Sequence, residues 1–171
     1  GCLIRPLLST KAQPYVGRIR VADIGLPLAE TAEACSTQHV LRPLIEPRKA
    51  QTEKRAQGRV LIVGGSDSMP GAVIMNTVAA LQSGAGLTTT ALPESIQPKA
   101  SLVYPEAMWH GLSTDKQGEI SHRNIQNIVR LFKNKDALLI GSGMGEKSEA
   151  TVCKIVRSFS ECLVLDADAL R

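Results

Sequence analysis

Residues 58–72 read GRVLIVGGSDSMPGA. The four apolar residues 60–63 are typical of a strand in a parallel sheet, because such strands are buried on both faces and show no polar alternation. The glycines that follow let the backbone come close to a ligand, and exposed amides at the start of a helix favour an anion or a polar ligand edge. A tight turn between a strand and a helix explains the same glycines without any ligand, so both interpretations stay open.

The loop at residues 64–72 does not match either of two common phosphate-binding sequences. A P-loop requires Lys after its last glycine, whereas Ala72 follows Gly71. A dinucleotide fingerprint requires glycines where Ser66 and Met69 stand. The loop therefore remains a candidate ligand loop without an assigned phosphate class.

Three further short apolar runs follow at residues 87–92, 137–140 and 163–165. Apolar residues at helical spacing lie between the runs and predict three amphipathic helices. Their members are Ile74, Val78, Leu81 and Ala85, then Ile125, Ile128, Val129 and Phe132, then Val152, Ile155, Val156 and Phe159. Ser121 and Ser148 precede the last two sets and are predicted N-caps. This alternation predicts parallel β-α-β units, in which ligands bind beyond the carboxyl ends of the strands.

Two more loops follow predicted strands and carry residues that suit ligand binding. Residues 141–145 read GSGMG, but Glu146 stands where a dinucleotide fingerprint has its third glycine, and its carboxylate would repel a pyrophosphate. Asp166 and Asp168 come directly after the last apolar run, where they would hold Mg²⁺ with its waters, position a sugar hydroxyl, or cap the next helix. His110 is a lone imidazole in the sequence pattern, and we do not expect it to be catalytic.

The composition restricts the class of protein. The chain has 171 residues, of which 43% are hydrophobic, 21% charged and 3% aromatic, and these values suit a globular protein. So few aromatic rings argue against a platform for single-stranded nucleic acid, where bases stack on Trp, Tyr or Phe. The net charge is +4, and its whole excess lies in residues 42–59. We interpret that segment as a solvated basic linker or, for one or two of its cations, as phosphate-facing.

We expect neither a membrane anchor nor a disulfide framework. No run approaches the roughly 18 to 20 apolar residues of a membrane span. The cysteines Cys2, Cys35, Cys153 and Cys162 form no CxxC pair, which favours free thiols in a reducing cytoplasm. The chain begins with Gly1 rather than Met, so we expect it to be processed or cut.

An isolated strand is predicted early in the chain. Residues 17–24 read GRIRVADI, a strand pattern that Gly25 and Pro27 end. A strand needs a partner, and the polar stretch 27–58 predicts none. We therefore expect this strand to be the last element of a domain that lies mostly before residue 1.

Six blocks of sequence, taken together and in order, resemble the NAD(P)H-hydrate dehydratases, ribokinase-like enzymes that repair hydrated nicotinamide cofactors. The blocks are GRVLIVGGS at 58–66, MPGA at 69–72, SGAGL at 83–87, PEAM at 105–108, IGSGMG at 140–145 and LDADAL at 165–170. Residues 16–27, VGRIRVADIGLP, are similar to the closing strand of the NAD(P)H-hydrate epimerase domain that precedes the dehydratase in many bacterial versions.

The resemblance implies an α/β fold with a ribokinase-like, mostly parallel sheet flanked by helices. It divides the chain into the C-terminal end of a Rossmann-like epimerase domain at 1–27, a linker and approach segment at 28–57, and the N-terminal part of the dehydratase domain at 58–171. The sheet is then expected to be truncated at its C-terminal side. Lys54 stands at the family's lysine position without the glycine that follows it there, and Ser142 stands where many relatives have proline.

The same resemblance implies the chemistry. In the family, ATP or ADP with Mg²⁺ phosphorylates the hydroxyl of (S)-NAD(P)H-hydrate, and loss of that phosphate restores NADH or NADPH. The family's base and anion hole lie in a Gly-Asp motif further downstream, so we assign no catalytic residue and expect the chain alone to be inactive. The hydrated cofactor is expected to bind Gly71, Ala72 and Gly143, with Lys54 and Asp168 as lesser candidates. No metal ligand is assigned.

The expected partners are small-molecule nucleotides, without nucleic acid or membrane. The resemblance also implies K⁺ at the epimerase half, a homo-oligomer for the full-length protein and a cytoplasmic location. Two alternative functions stay open. One is a ribokinase-like kinase that acts on a vitamin precursor, and the other is a non-enzymatic nucleotide-binding module.

Overall fold

The computed structural model of the chain describes residues 52–171 and, before them, Pro14. By its internal contacts the chain divides into two compact units, Gly1–Pro47 and Arg48–Arg171, and the architecture below is that of the second unit. The strand predicted at residues 17–24 and most of the predicted linker lie outside the described residues. None of the helices in the described part is long and apolar enough to cross a membrane.

Five strands form one parallel sheet in the described part of the chain. In chain order they are β1 (Arg59–Val63), β2 (Leu87–Pro93), β3 (Met108–Leu112), β4 (Ala137–Ile140) and β5 (Cys162–Leu165). Their order across the sheet is β3-β2-β1-β4-β5, and each neighbouring pair runs parallel. The sequence predicts β1, β2, β4 and β5 from their apolar runs, and the structure confirms the parallel α/β sheet.

β3 is the strand that the sequence analysis missed. It lies at an edge of the sheet and, among the strands described, pairs with β2 alone. Most of its residues are exposed, and Leu112 is its one buried residue. An edge strand of this kind needs no continuous apolar run, and its sequence MWHGL carries none.

Four α-helices are described between the strands. They are α1 (Gly71–Gln82), α2 (Gln97–Val103), α3 (Ile125–Leu131) and α4 (Glu149–Arg157). The sequence predicts α1, α3 and α4, and the structure confirms them. α2 was missed because it has seven residues, of which Ala100 alone is buried, so no apolar periodicity marks it. Short 3₁₀ helices occur at Lys54–Gln57, His122–Asn124, Glu146–Ser148 and Ala167–Leu170.

The buried face of α1 differs from the predicted one. Val73 and Thr77 are fully buried, whereas Ile74 and Val78 of the predicted stripe are only partly covered. The Thr77 hydroxyl donates to the Val73 carbonyl at 2.8 Å and lies 2.8 Å from the Thr90 hydroxyl. A polar residue therefore occupies a core position with its hydrogen-bonding capacity satisfied.

The two predicted N-caps behave differently. Ser121 accepts a hydrogen bond from the Arg123 amide at 3.4 Å, at the start of the 3₁₀ helix that leads into α3. Ser148 stands directly before α4, but its hydroxyl donates to the Gly145 carbonyl at 2.7 Å and makes no side-chain cap. The prediction of a side-chain cap at Ser148 is wrong, because the preceding glycine-rich loop takes up the hydroxyl.

Alternate strand residues build two apolar layers, one on each side of the sheet. Leu61 and Val63 of β1 belong to the layer that α3 and α4 cover. Ile62 belongs to the layer that α1 covers, together with Val73 and Leu92. β1 is therefore buried on both faces, as its apolar run predicts.

The strand order places the carboxyl ends of β1 and β4 beside each other. The chain passes from β1 to β2 and β3 on one side and then crosses to β4 on the other side of β1. In open α/β sheets this change of direction leaves a crevice outside the carboxyl ends of the two strands. Residues 64–70 after β1 and residues 141–145 after β4, which we call the first and second glycine loops, stand where this crevice is expected.

Candidate functional site

The two glycine loops contact each other directly. The Gly65 amide of the first loop donates to the Ser142 carbonyl of the second at 2.7 Å. Behind this contact, the Gly141 amide donates to the Val63 carbonyl at 3.3 Å. The loops therefore form one continuous backbone surface at the switch point of the sheet.

Gly143 is a point of close approach between the loops. Its φ is +66°, in the left-handed region that residues with a side chain rarely adopt. A Cβ atom built on Gly143 would lie 2.7 Å from the Met69 carbonyl oxygen, closer than van der Waals contact allows. Both the backbone conformation and the neighbouring loop therefore require glycine at this position.

Gly71 and Ala72, for which the family resemblance implies substrate binding together with Gly143, lie close to it in the fold. They begin α1 shortly after Met69, the residue against which Gly143 packs. Gly71 is exposed, and Ala72 is partly buried. The first amides of a helix lack carbonyl partners within the helix and carry a partial positive charge. This arrangement suits an anionic group or a hydroxyl of a ligand in the crevice.

Asp166 and Asp168 fasten the second glycine loop to the end of β5. The Ser142 hydroxyl donates to Asp166 Oδ2 at 2.6 Å, and the Gly145 amide donates to Asp168 Oδ2 at 2.9 Å. The Asp168 side chain is only 11% exposed, and its other oxygen pairs with Arg171 Nε at 3.4 Å. Both carboxylates are thus bound by groups of the protein itself.

The contacts of these two carboxylates do not favour the Mg²⁺ hypothesis. In residues 52–171, no group of three or more His, Cys, Asp and Glu side chains is placed to hold a metal ion. Asp166 and Asp168 each bind a different part of the second glycine loop. These contacts indicate a role that the sequence did not suggest, namely holding that loop, and the Asp166 side chain makes no cap hydrogen bond to the 3₁₀ helix that follows it.

A small hairpin, residues 114–120, contacts both glycine loops. The Asp67 amide of the first loop donates to the Gly118 carbonyl at 2.9 Å. The Glu119 carboxylate accepts from the Lys147 amide at 3.3 Å, just after the second loop. The hairpin therefore bridges the two loops and adds a third segment to the site.

This hairpin was not predicted from the sequence, although it carries a turn signal. The Gly118 amide donates to the Asp115 carbonyl at 3.1 Å. The Asp115 carboxylate accepts from the Gln117 and Glu119 amides at 2.9 and 3.0 Å. Asp at the first position of a turn and Gly at the fourth are typical of a β-turn. This spacing is the signal that could have revealed the hairpin.

Lys54 lies at the opposite end of the sheet from the glycine loops. It begins the 3₁₀ helix before β1, and its carbonyl packs against Gly86, just before β2. β1 has five residues, and a strand of that length spans about 17 Å. The glycine loops leave the far end of β1, so the structure does not bring Lys54 to them.

A cluster of charged side chains also lies at the amino end of the sheet. Hydrogen bonds from Arg59 hold the pKa of the Asp136 carboxyl below its usual value. Partial burial and the Arg59 charge lower the pKa of Lys135, and partial burial and the Lys135 charge lower the pKa of His110. His110 itself lies on β3 opposite Ala91 of β2, which in turn pairs with Val63 of β1.

A cavity of about 360 Å³ opens beside the charged cluster. Its lining consists of Arg59, Phe132, Asn134, Lys135, Asp136, Ser158, Phe159, Ser160 and Glu161. The two phenylalanine rings meet edge to face with centroids 4.9 Å apart. Arg59 and Asp136 pair with each other in this lining, and Lys135 and Glu161 add one charge of each sign, so the lining shows no preference for a ligand of one charge.

Sequence comparison identifies the relatives of this chain. A profile of the NAD(P)H-hydrate dehydratase family matches residues 60–171. The chain is 32% identical over 174 residues to the bifunctional NAD(P)H-hydrate repair enzyme of Dictyoglomus turgidum. The alignment covers 96% of the chain and 34% of that protein. It is 41% identical over 123 residues to the ADP-dependent (S)-NAD(P)H-hydrate dehydratase of Xanthomonas campestris. That alignment covers 69% of the chain and 41% of that protein. The chain spans about a third of the length of the bifunctional relatives.

Solved structures with the same architecture include a ribokinase-like superfamily protein from Enterococcus faecalis, with a TM-score of 0.61 and 27% identity over 76% of this chain and 43% of that one. Another is the ADP/ATP-dependent NAD(P)H-hydrate dehydratase of Bacillus subtilis, co-crystallised with ATP and Mg²⁺. Its TM-score is 0.62, with 27% identity over 78% of this chain and 46% of that one. The predicted ribokinase-like fold is confirmed. Both glycine loops fall within the matched residues 60–171, and the chain belongs to the NAD(P)H-hydrate dehydratase family.

Proposed function

We propose that the chain supplies the hydrate-binding part of an ADP- or ATP-dependent (S)-NAD(P)H-hydrate dehydratase, which restores NADH or NADPH from their hydrated forms. The observation that carries the proposal is the contact of the two glycine loops, where Gly143 packs against Met69 directly ahead of Gly71 and Ala72. The family of the chain and the names of its relatives support the substrate class.

The two loops suit a nicotinamide ring and its hydroxyl because they offer backbone amides and little side-chain bulk. Gly71 and Ala72 present the first amides of α1, a Cβ atom on Gly71 would meet nothing within 4 Å, and Gly143 lets the second loop pack closely against Met69. The buried Ser66 hydroxyl accepts from the Met69 amide at 3.2 Å and shapes the first loop. A backbone cradle held in this way orients the ring hydroxyl, which lowers the entropic cost of the reaction.

In the proposed reaction, ATP or ADP transfers its terminal phosphoryl group to the ring hydroxyl. Departure of that phosphate, with loss of a ring proton, regenerates the dihydronicotinamide. A base must take the hydroxyl proton, and hydrogen-bond donors must stabilise the moving phosphoryl group. We assign both to the part of its relatives' length that this chain does not span.

Mg²⁺ would bridge the nucleotide phosphates in such a reaction. The described residues contain no cluster of His, Cys, Asp and Glu side chains that fits a metal ion. We therefore derive no step through Mg²⁺ from the residues of this chain. Dependence on ADP or ATP is part of the proposal because the relatives carry it in their names.

The proposed domain organisation keeps residues 1–27 as the end of an NAD(P)H-hydrate epimerase domain, 28–57 as the linker and 58–171 as dehydratase. The bifunctional enzyme of Dictyoglomus turgidum matches 96% of the chain, whereas the dehydratase of Xanthomonas campestris matches 69%. The longer match to the bifunctional enzyme supports this division. K⁺ at the epimerase half, a homo-oligomer of the complete protein and a cytoplasmic location stay predictions.

The experiment compares the 171-residue chain with the complete gene product, whose limits are read from the DNA on both sides of the segment. NADH-hydrate and NADPH-hydrate are titrated into each sample, and NADH or NADPH formation is followed by absorbance with ADP and with ATP. We expect the chain alone to bind the hydrate without turnover and the complete product to dehydrate it.

Other outcomes contradict the proposal in distinct ways. Turnover by the 171-residue chain would place the catalytic base within it and refute our assignment of that base elsewhere. Absence of hydrate binding in both samples would refute the proposed function. Phosphorylation of a vitamin precursor without hydrate dehydration would favour a ribokinase-like kinase, and nucleotide binding without either reaction would favour a binding module.

A further inference from the structure

Ser142 of the second glycine loop makes hydrogen bonds to three other segments. Its carbonyl accepts from the Gly65 amide at 2.7 Å. Its hydroxyl accepts from Asn76 Nδ2 at 2.6 Å and donates to Asp166 Oδ2 at 2.6 Å. One residue therefore joins the first glycine loop, helix α1 and the end of β5.

The burial of Ser142 makes the loss of any of these hydrogen bonds costly. Ser142 is 1% exposed, so water cannot replace a lost partner, and an unpaired buried polar group is costly. A hydroxyl that donates to a carboxylate forms a short and strong hydrogen bond. The hydroxyl of Ser142 is fixed by one donor and one acceptor, and the peptide that leads on to Gly143 is held with it.

We propose that Ser142 is a positioning residue for the two glycine loops and that Asp166 and Asn76 influence substrate affinity through it. The inference rests on the proposed function, in which both loops contact the hydrated nicotinamide. In this arrangement Ser142 sets the spacing between Gly143 and the first loop without touching the substrate. Small errors in such spacing change the fit of a bound ring.

Asp168 offers an internal comparison because it fastens the same loop by another route. Its Oδ2 accepts from the Gly145 amide at 2.9 Å, a contact that does not pass through Ser142. The loss of affinity caused by a substitution at Asp166 should therefore depend on whether Ser142 is also substituted, whereas the loss caused by a substitution at Asp168 should not.

The test measures the Kd of the 171-residue chain for NADPH-hydrate by NMR titration. We expect Ser142→Ala and Asp166→Ala each to weaken binding about tenfold, near the lower end for a hydrogen bond to a charged group, because Asp166 itself is exposed. The double variant should bind no more weakly than either single variant, because both remove the same link. Asp168→Ala should instead weaken binding further when it is added to Ser142→Ala.

Four checks separate positioning from a general loss of structure. Asp166→Asn keeps a neutral acceptor for the Ser142 hydroxyl and should restore most of the affinity that Asp166→Ala loses. Ser158→Ala is the matched control, since that exposed hydroxyl donates to the Lys154 carbonyl at 2.9 Å at the far end of α4. Thermal unfolding of each variant checks that it is folded. Amide hydrogen exchange at Gly65 should accelerate in Asp166→Ala and recover in Asp166→Asn.

The inference is overturned by an unchanged Kd in Ser142→Ala, by multiplicative losses in the Ser142→Ala and Asp166→Ala double variant, or by an Asp166→Asn variant as weak as Asp166→Ala. If the wild-type chain does not bind the hydrate, the proposed function is the part that fails. Exchange at the Gly65 amide then decides on Ser142 alone, and an unchanged rate in Asp166→Ala refutes the positioning role.

Discussion

Single residues in the site owe their identity to the space that the neighbouring loop leaves. A Cβ atom on Gly64 would lie 2.7 Å from the Ser142 carbonyl, and one on Gly143 would lie 2.7 Å from the Met69 carbonyl. Gly71 differs, because a Cβ atom there would meet nothing within 4 Å. Gly64 and Gly143 therefore allow the loops to pack together, whereas Gly71 leaves open space where we propose that the ligand lies.

Gly143→Ala should destabilise the chain and weaken hydrate binding severely. The left-handed backbone costs a residue with a Cβ atom roughly 1–2 kcal/mol, and the contact with the Met69 carbonyl adds to this cost. The free energy of unfolding in urea and the Kd for NADPH-hydrate measure the two effects. Gly71→Ala is the matched control: it should keep or raise stability, because Ala is the better helix former by about 1 kcal/mol, yet still weaken binding. A fully stable Gly143→Ala would contradict this account.

Lys135 should make the free energy of unfolding rise with pH on the alkaline side. Partial burial and the Arg59 charge lower its pKa in the folded chain below the usual 10.5. Between the lowered and the usual pKa the unfolded chain binds more protons, so stability increases as pH rises through that window. Lys135→Met removes this titration and should flatten the rise. Urea midpoints across the window measure it, and equal pH slopes for both chains would refute the assignment.

The pairing of β4 with β1 brings the two glycine loops together. Val60, Leu61, Ile62 and Val63 of β1 pair with Ala137, Leu138, Leu139 and Ile140 of β4. This register brings the ends of both strands level, so the glycine loops leave the sheet side by side. A salt bridge at the other end of the same pair, between Arg59 and Asp136 at 3.0 Å, ties the beginnings of the strands together.

Asp136→Asn should loosen the β1 and β4 pairing and alter the acid stability of the chain. The Asp136 carboxylate accepts from the Arg59 amide at 2.7 Å and from its guanidinium at 3.1 and 3.0 Å. These contacts lower its pKa, so its contribution is present above the usual Asp pKa and is lost as pH falls through the lowered value. Urea unfolding between neutral and acid pH should show a lower midpoint and a weaker pH dependence in the variant. Glu161→Gln, a nearby exposed acid, should leave both unchanged.

The elements differ in how far the sequence predicts them. β1, β2 and β4 were predictable because strands covered by neighbours need apolar side chains. β5 lies at an edge but carries the apolar sequence CLVL, whereas β3 at the other edge and the short α2 carry no such signal. Each glycine loop was recognisable by itself. The contact between the two loops could not be predicted, because helical connections allow β4 to pair with β1 or to lie at another position in the sheet. The hydrogen bonds of Ser142 to Asn76 and Asp166 depend on that strand order and carry no local signal.

At the scale of the whole molecule, β5 is an edge strand of the described sheet, and apolar residues on it and just after it are exposed. β5 pairs with β4 among the described strands. Val164 on this strand is 47% exposed, and Leu170 beyond it is 69% exposed. Unpaired strand edges with apolar side chains favour pairing with another chain.

The 171-residue chain should therefore self-associate as its concentration rises. Val164→Lys places a charge on the β5 edge and should shift the chain toward monomer, because charged edge residues oppose strand addition. Sedimentation velocity over a concentration series measures the effect. Met75→Lys, at an exposed position of α1, adds the same charge away from the edge and should have less effect. A wild-type chain that stays monomeric would refute the expectation.

The hydrogen bond between Gly65 and Ser142 joins segments that are far apart in sequence, and this distance has a kinetic consequence. β1, α1 and β2 are consecutive and can assemble as a local unit, whereas β4 reaches β1 only after the intervening chain is arranged. Contacts of long sequence separation slow folding because their loop-closure entropy must be paid before they form. The crevice is then completed late in folding, so a ligand that touches both glycine loops recognises only chains that have finished folding. Ligand binding during refolding would therefore lag behind the gain of helix signal.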